Sequence, residues 1–240
     1  MVFGNHQKNM FMKIKLLCLA FLAATVSNVS AQSSVILKGG YNLANISISE
    51  DGDVDENRAL SSFHVGLQGD ISVIKNILSI QPGLLFTGKG SKLQSGEPGQ
   101  NGYFRSVVNP YYIEVPVNVV LKAPLGDGAK FFVGAGPYAA VGVGGKRKLE
   151  YQIIGVAYNR TDKIEFSDDD PTTQGEEGSG YGILRRFDYG LNGTIGFEGS
   201  KAMFSVNYGL GLAKLQSGAD NSIDEKNKHR VLSFTIGFRL

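Results

Sequence analysis

The sequence has no tryptophan, a single cysteine and only seven prolines in 240 residues. Cys18 lies inside an apolar run near the N-terminus. A lipoprotein signal would place its cysteine at the end of such a run after a small residue, whereas Leu17 precedes Cys18 and more apolar residues follow it. Everything beyond that run is free of cysteine, which excludes a disulfide framework and thiol chemistry. Also lacking after Ala31 is any stretch approaching the roughly 20 apolar residues of a spanning helix. Charge of one sign is missing too. Taking Lys8, Lys13 and Lys15 from the 24 basic residues leaves 21 against 22 acidic ones, a net of about −1 that gives no case for nucleic-acid binding.

The first 31 residues read as an export address. Lys13 and Lys15 precede "LLCLAFLAATV", and "VSA" at Val29–Ala31 offers small residues for cleavage before Gln32. This is the basic, apolar and small-residue order of a secretory signal peptide, with Met12 as a second start position. Residues 32–240 are expected to form one domain.

Helical periodicity is absent there, and dyad alternation takes its place in eight segments. They centre on "SVILKGGYNLANI", "SFHVGLQGDI", "LSIQPGLLFTGK", "YYIEVPVNVVLK", "FFVGAGPYAAVGV", "RRFDYGLNGTIGFE", "MFSVNYGLGL" and "RVLSFTIGFRL". One face of each is apolar and aromatic; the other is mainly Gly, Ser, Thr, Asn and Gln. A soluble barrel would carry a wet face dense in Lys and Glu, because charge keeps exposed strands from associating. Small polar residues suit a crowded interior instead, since an eight-stranded barrel is just wide enough for side chains to fill. The apolar face then meets lipid.

Connection lengths agree with that arrangement. Links near Ser72–Ile77, Ala123–Lys130 and Gly199–Lys201 are short, and those near Ser47–Leu60, Gly90–Asn109, Gly144–Leu184 and Ala213–Lys228 are long and polar. Strict alternation of the two kinds predicts an all-β, eight-stranded antiparallel transmembrane up-and-down β-barrel with tight periplasmic turns and long external loops. Phe131, Phe197, Phe204 and Phe238 then form an inner aromatic girdle, and Tyr41, Phe63, Phe86, Tyr111, Phe187 and Tyr189 an outer one. The third long loop, containing "KLEYQIIGVAYNRTDKIEF", alternates as well and predicts a projecting hairpin, with a ten-stranded barrel as the alternative.

Glu114 in the fourth segment requires the lumen, because a charge near the bilayer centre costs on the order of 2–4 kcal/mol on the lipid face. Lys38, Arg186 and Arg239 share its side and are its expected partners. Pro82, Pro116 and Pro137 each remove a ladder donor and are expected at bulges or strand ends. The plug should comprise Lys38, Gln68, Gln81, Glu114, Tyr138, Asn192, Asn207 and Arg239.

No catalytic, cofactor-binding or metal-binding residue is expected. Asp51, Asp53 and Asp55 alternate like the start of a calcium loop, but Glu56 and Ser62 stand where such a loop needs Gly and Glu. A solvated loop is the better reading, with loose divalent-cation bridging to lipopolysaccharide, joined by Ser167–Asp170, as the other. His64 and His229 are the only histidines after the leader. A lipid-deacylase dyad needs one of them beside a nucleophilic Ser near lipid, whereas His64 falls on the lumen face and His229 at a loop end. "GAGPY" and "GGKRK" are not phosphate loops, since no helix pattern follows them. Lys146, Arg147 and Lys148 should lie at the outer rim, within reach of lipopolysaccharide phosphates.

The motifs "GGYNLANI", "SIQPGLLFTGKG", "YYIEVPVNVVLK", "FFVGAGPYAAV", "RRFDYGLNGTIGFE" and "VLSFTIGFRL" resemble the porin-like outer-membrane β-barrel proteins of Bacteroidetes, which include PorT-type secretion components. The resemblance spans Ser33–Leu240, with I-E-V-P and R-F-D-Y-G as its most specific pieces. It implies an eight-stranded barrel in the outer membrane and carries over no catalytic residues. Leu240 stands where many barrels end in Phe. Three roles are compatible: a surface-interaction barrel binding lipopolysaccharide or a partner protein, a PorT-like component of a secretion or assembly machine, and a lipid-modifying enzyme.

Overall fold

The computed structural model describes residues 33–47, 59–167, 183–215 and 228–240; all but Ser33 belong to one compact unit, Ser34–Leu240. Its elements are all strands: β1 (Ser33–Ser47), β2 (Leu60–Ile74), β3 (Leu78–Gly88), β4 (Ser91–Ser95), β5 (Phe104–Gly126), β6 (Ala129–Ile153), β7 (Val156–Lys163), β8 (Glu165–Phe166), β9 (Ile183–Leu184), β10 (Phe187–Glu198), β11 (Ala202–Gly211) and β12 (Lys228–Arg239). The eight alternating segments correspond to β1, β2, β3, β5, β6, β10, β11 and β12. These strands follow one another in an antiparallel row, and pairing of β5 with β6 and of β1 with β12 closes it into a ring.

Three tight turns gather at one end of the ring with Val35 and Leu240. Leu240 N donates to Val35 O and Arg239 N to Lys201 O, both at 2.8 Å, while Lys122 N donates to Ile77 O at 2.7 Å. Asp127 (φ 49) and Gly128 (φ 78) make the turn between β5 and β6 in the left-handed region, where the backbone twist matches that of the flanking strands. All long connections leave from the opposite end.

Side-chain burial is inside-out for a soluble protein. Along β5, Tyr112, Glu114, Pro116, Asn118, Val120 and Lys122 are buried, while Ile113, Val115, Val117, Val119 and Leu121 are exposed. Neighbouring strands repeat the pattern: Phe63, Val65 and Leu67 point outward and His64, Gln68 and Asp70 inward. From Tyr111 to Ala123, which pairs with Phe131, β5 covers about 40 Å along the strand. Tilted by about 45°, that is about 29 Å of depth, close to a hydrocarbon core. Aromatic side chains mark both limits. Phe131 and Phe197 lie 5.3 Å apart at the tight-turn end, and Phe86 and Tyr111 stack at 5.3 Å at the other, with Phe63 6.0 Å from Phe86.

Two of the long connections turn out to be largely strand. β5 and β6, at 23 and 25 residues, run beyond the ring and acquire β4 and β7 on their outer edges. A sheet in the order β4-β5-β6-β7 therefore stands above the long-connection end. The expected hairpin is β6–β7, turning at Ile154 (φ 49) and Gly155 (φ 73). The ten-stranded alternative does not hold, because β4 and β7 end the row while β5 and β6 pair directly.

The prolines correct the sequence reading. None of Pro82, Pro116 or Pro137 lies at a bulge or strand end. Each sits mid-strand where the ladder on one side skips two pairs and resumes in the same register. β3–β5 pairing jumps from Pro82↔Val117 to Leu85↔Glu114, and β5–β6 pairing from Pro116↔Tyr138 to Val119↔Ala135. β2–β3 pairing likewise jumps from Gln68↔Gly83 to Ile71↔Ile80; across that gap Pro82 faces Gly69, and across the β3–β5 gap Pro116 faces Gly83. A Cβ on Gly83 would lie 3.0 Å from the Pro116 ring, so the small neighbour makes room for a ring that cannot join the ladder.

Candidate functional site

Among the described residues, charged groups converge away from solvent in the interior of the ring. Near its tight-turn end, Lys122 Nζ meets Asp70 Oδ2 at 2.7 Å and Glu198 Oε1 at 3.0 Å. Arg239 Nη2 reaches the same two carboxylates at 3.3 and 3.2 Å. Four elements (β2, β5, β10 and β12) are thus tied through one cluster. An apolar layer of Ile36, Val120, Phe132 and Met203 packs beside it, all from inward positions otherwise dominated by polar residues.

Above this the lumen is polar. Lys38 Nζ donates to Gln68 Oε1 at 2.6 Å, Gln68 Nε2 to Gln81 Oε1 at 2.6 Å, and Gln81 Nε2 to Asp70 Oδ1 at 3.2 Å. Asn42 Nδ2 donates to Thr87 Oγ1 (3.0 Å) and to Gly88 O (3.1 Å), which leaves its Oδ1 to accept from His64 Nδ1 at 2.7 Å. His64 Nε2 faces Thr235 Oγ1 at 3.0 Å, so a neutral imidazole is satisfied on both sides. A cavity of about 60 Å³ remains among Lys38, His64, Lys89, Glu114, Asn192 and Asn207. At roughly 15 Å³ of such space per water it has room for about four water molecules, not for a solute.

A second charge cluster closes the upper half. Lys89 Nζ lies 2.7 Å from Glu114 Oε2 and 2.8 Å from Asp188 Oδ2, with the Tyr138 ring 4.0 Å away. Tyr138 donates to Asp188 Oδ2 at 3.1 Å. Five cations, Lys38, Lys89, Lys122, Arg239 and Lys130, the last 3.5 Å from Glu198 Oε1, stand close to balance against the carboxylates Asp70, Glu114, Asp188 and Glu198. Such balance is what makes so many ions tolerable in a poorly hydrated interior.

Over this lies an apolar cap. Ile46, Val108, Ile164, Leu184 and Leu215 form a buried cluster with Phe166 packed against it, and Tyr112 meets the Phe166 ring edge-on at 5.7 Å. Ile164, Phe166, Leu184 and Leu215 come from the last two long connections. β8 pairs with β9, and Arg185 N donates to Leu215 O at 2.8 Å, so the connections fold inward over the mouth. Gly142 makes this possible: a Cβ there would lie 2.2 Å from the Phe166 ring.

Of the expected plug, Lys38, Gln68, Gln81, Glu114 and Tyr138 are buried, while Asn192 and Asn207 are half-buried and line the cavity. Arg239 is half-buried at the tight-turn end. The expected partner of Glu114 is corrected. Arg239 belongs to the lower cluster, Lys38 bonds Gln68, and Arg186 is exposed and donates to Phe166 O at 3.0 Å. The partner is Lys89, an inward residue just past β3. The sequence reading also missed the cap, whose members come from separate parts of the chain.

Both histidines face inward. His229 is the second residue of β12 rather than part of a loop end, and its Nε2 meets Tyr112 Oη at 3.3 Å. Neither ring is at the lipid-facing surface, where a deacylase dyad would act. Among the described residues no three His, Cys, Asp or Glu side chains come together as a metal site. Asp51, Asp53, Asp55 and Asp168–Asp170 lie outside the described residues. The basic rim cluster is split: Lys146 and Lys148 point outward, while Arg147 sits on the opposite face, paired in register with Val108 and Asp162.

No curated protein matches the chain. Among solved structures it is similar to the attachment invasion locus protein Ail of Yersinia pestis, crystallised with the heparin analogue sucrose octasulfate, at 13% identity and TM-score 0.39 over 88% of this chain and 100% of that one. Neisserial surface protein A matches at 10% identity and TM-score 0.41, covering 88% and 97% of the two chains. OprG from Pseudomonas aeruginosa matches at 12% and 0.42, covering 87% and 96%. The family model described as "Outer membrane protein beta-barrel domain" matches residues 28–217, and the chain belongs to that family of outer-membrane proteins.

Proposed function

We propose that the protein is a non-conducting, non-enzymatic barrel of the outer membrane that works through the surfaces it projects at its long-connection end. Residues 1–31 serve as a cleaved secretory signal, and the tight turns face the periplasm. The observation that carries this reading is the filled interior. Among the described residues, two ion clusters, a polar layer and an apolar cap occupy the lumen, and the cavity between them, about 60 Å³, is too small to pass a solute. What the chain offers to the outside is the four-stranded extension and its hairpin, a surface for lipopolysaccharide or a partner protein. Purified protein in planar bilayers should show no stable conductance; a reproducible large open level would refute the reading.

A second role, as a PorT-like component of a secretion or assembly machine, draws support from the I-E-V-P and R-F-D-Y-G motifs and from the same extension, whose rigid sheet could hold a partner subunit. Crosslinking in intact cells separates the two. Recovery of secretion subunits on β7 favours the machine, and recovery of lipid alone favours the free-standing barrel.

A further inference from the structure

The outward face of the extension carries charge of one sign in two adjacent rows. β6 has one extra residue where it leaves the ring: Tyr111 pairs with Gly144 and Tyr112 with Gly142, leaving Val143 unpaired. A bulge of this kind switches which residues face outward. Below it the even-numbered residues Tyr138, Ala140 and Gly142 point inward; above it Lys146 shares the outward face with Asn109, and Lys148 with Val107. Without the bulge both lysines would be aimed over the lumen. Lys163 on β7 stands directly opposite Lys146, and Lys92 on β4 shares the row of Lys148 through Val107.

Like charges directly opposite one another on a sheet destabilise it unless something lies between them. Among the described residues nothing of opposite sign does. Glu150, one row higher, pairs with Arg105 at 3.2 Å, and Asp162, on the other face, pairs with Arg160 at 2.8 Å. Glu165, the next acid along the chain from Lys163, makes no ion pair, and neither do the four lysines. Two residues below Asn109 on β5 is Tyr111, the near end of an aromatic patch that continues sideways through Phe86 on β3 to Phe63 on β2. Two residues along a strand is about 7 Å, and the headgroup layer on each side of a bilayer is roughly 5–7 Å thick. Lys146 and Lys163, one such step beyond Tyr111, therefore sit at headgroup height, and Lys92 and Lys148 stand one row further out, on the face that continues the lipid-facing wall.

We propose that Lys92, Lys146, Lys148 and Lys163 form a binding site for the phosphates of an outer-leaflet glycolipid, with the acyl chains lying against the aromatic patch. This rests on the reading that the extension faces outward from the cell. The site is built for a lipid rather than a soluble anion, because the charge begins one step above an apolar wall.

The test titrates the detergent-solubilised full chain with lipid A carrying both phosphates and with lipid A stripped of them. Wild type should prefer the phosphorylated form by tenfold or more. Replacing the lysines with Gln should weaken that binding roughly fivefold for each one removed, the usual effect of one basic residue near an anionic surface. Arg160→Gln, on the other face, should leave it unchanged. Heat-dependent gel migration checks that each variant keeps its ring. The proposal is overturned if wild type does not discriminate, if the fourfold variant binds equally well, or if millimolar inorganic phosphate displaces the lipid. A membrane-impermeant maleimide on cells expressing Asn159→Cys tests the underlying orientation separately. Labelled cells without a lipid preference sink only the lysine site, and unlabelled cells sink the orientation itself.

Discussion

Lys89 Nζ lies 2.7 Å from Glu114 Oε2, and this contact joins the residue just past β3 to the middle of β5. The same amine holds Asp188 on β10 at 2.8 Å, so one lysine neutralises two carboxylates from different walls of the ring. Lys89→Met would leave both buried without a counter-charge. It should destabilise the folded barrel by about 3–5 kcal/mol, read as a lower temperature for loss of the compact band on gels. Adding Glu114→Gln and Asp188→Asn to Lys89→Met should recover most of the loss. Equal stability of Lys89→Met and wild type would mean that the cluster holds nothing together.

The exposed face of β5 should behave as a lipid surface. Val117 lies about midway between the two aromatic limits, so Val117→Arg should cost about 2–4 kcal/mol of folding into vesicles. Tyr111→Arg, at the interface, should cost no more than about 1 kcal/mol of charge burial. Urea titration in liposomes measures both, and an equal effect at the two depths would argue against a spanning wall.

The cap depends on Gly142. Gly142→Ala forces the Phe166 ring to move, and Phe166→Leu removes the ring that is in the way. The two substitutions should therefore be strongly non-additive, with a coupling of roughly 1 kcal/mol or more. A thermal-stability cycle showing simple additivity would mean that Phe166 does not seat against Gly142.

Pro116→Ala returns a backbone donor to a ladder that skips two pairs. The net change should stay within about 1.5 kcal/mol, and hydrogen exchange should show a new protected amide at position 116. A freely exchanging amide there would place the gap outside the protein's protected wall.

Much of this was legible in the sequence. Dyad alternation located all eight ring strands because one face is kept apolar throughout, and "KLEYQIIGVAYNRTDKIEF" announced its hairpin. The pairing of Glu114 was not legible. Its partner comes from the end of another strand, and which lumen residues meet depends on strand stagger, a quantity that alternation leaves open. The prolines were misplaced because a sequence shows the missing donor but not the glycine across the gap. The cap was invisible because Ile164, Leu184 and Leu215 are far apart in the chain, brought together only when the connections fold inward. The outward lysines on β6 depend on one extra residue, Val143, which alternation alone cannot flag.

The central claim, that the apolar face meets lipid and the polar face fills a closed interior, is tested most directly by spin labels scanned along β5. Cys18→Ser gives a cysteine-free background, into which single cysteines are placed at residues 112–121. Labels at Ile113, Val115, Val117, Val119 and Leu121 should collide readily with dissolved oxygen and hardly at all with a water-soluble nickel reagent, and the residues between them with neither. If the odd-numbered positions instead favour the nickel reagent, that face is in water and the account is wrong.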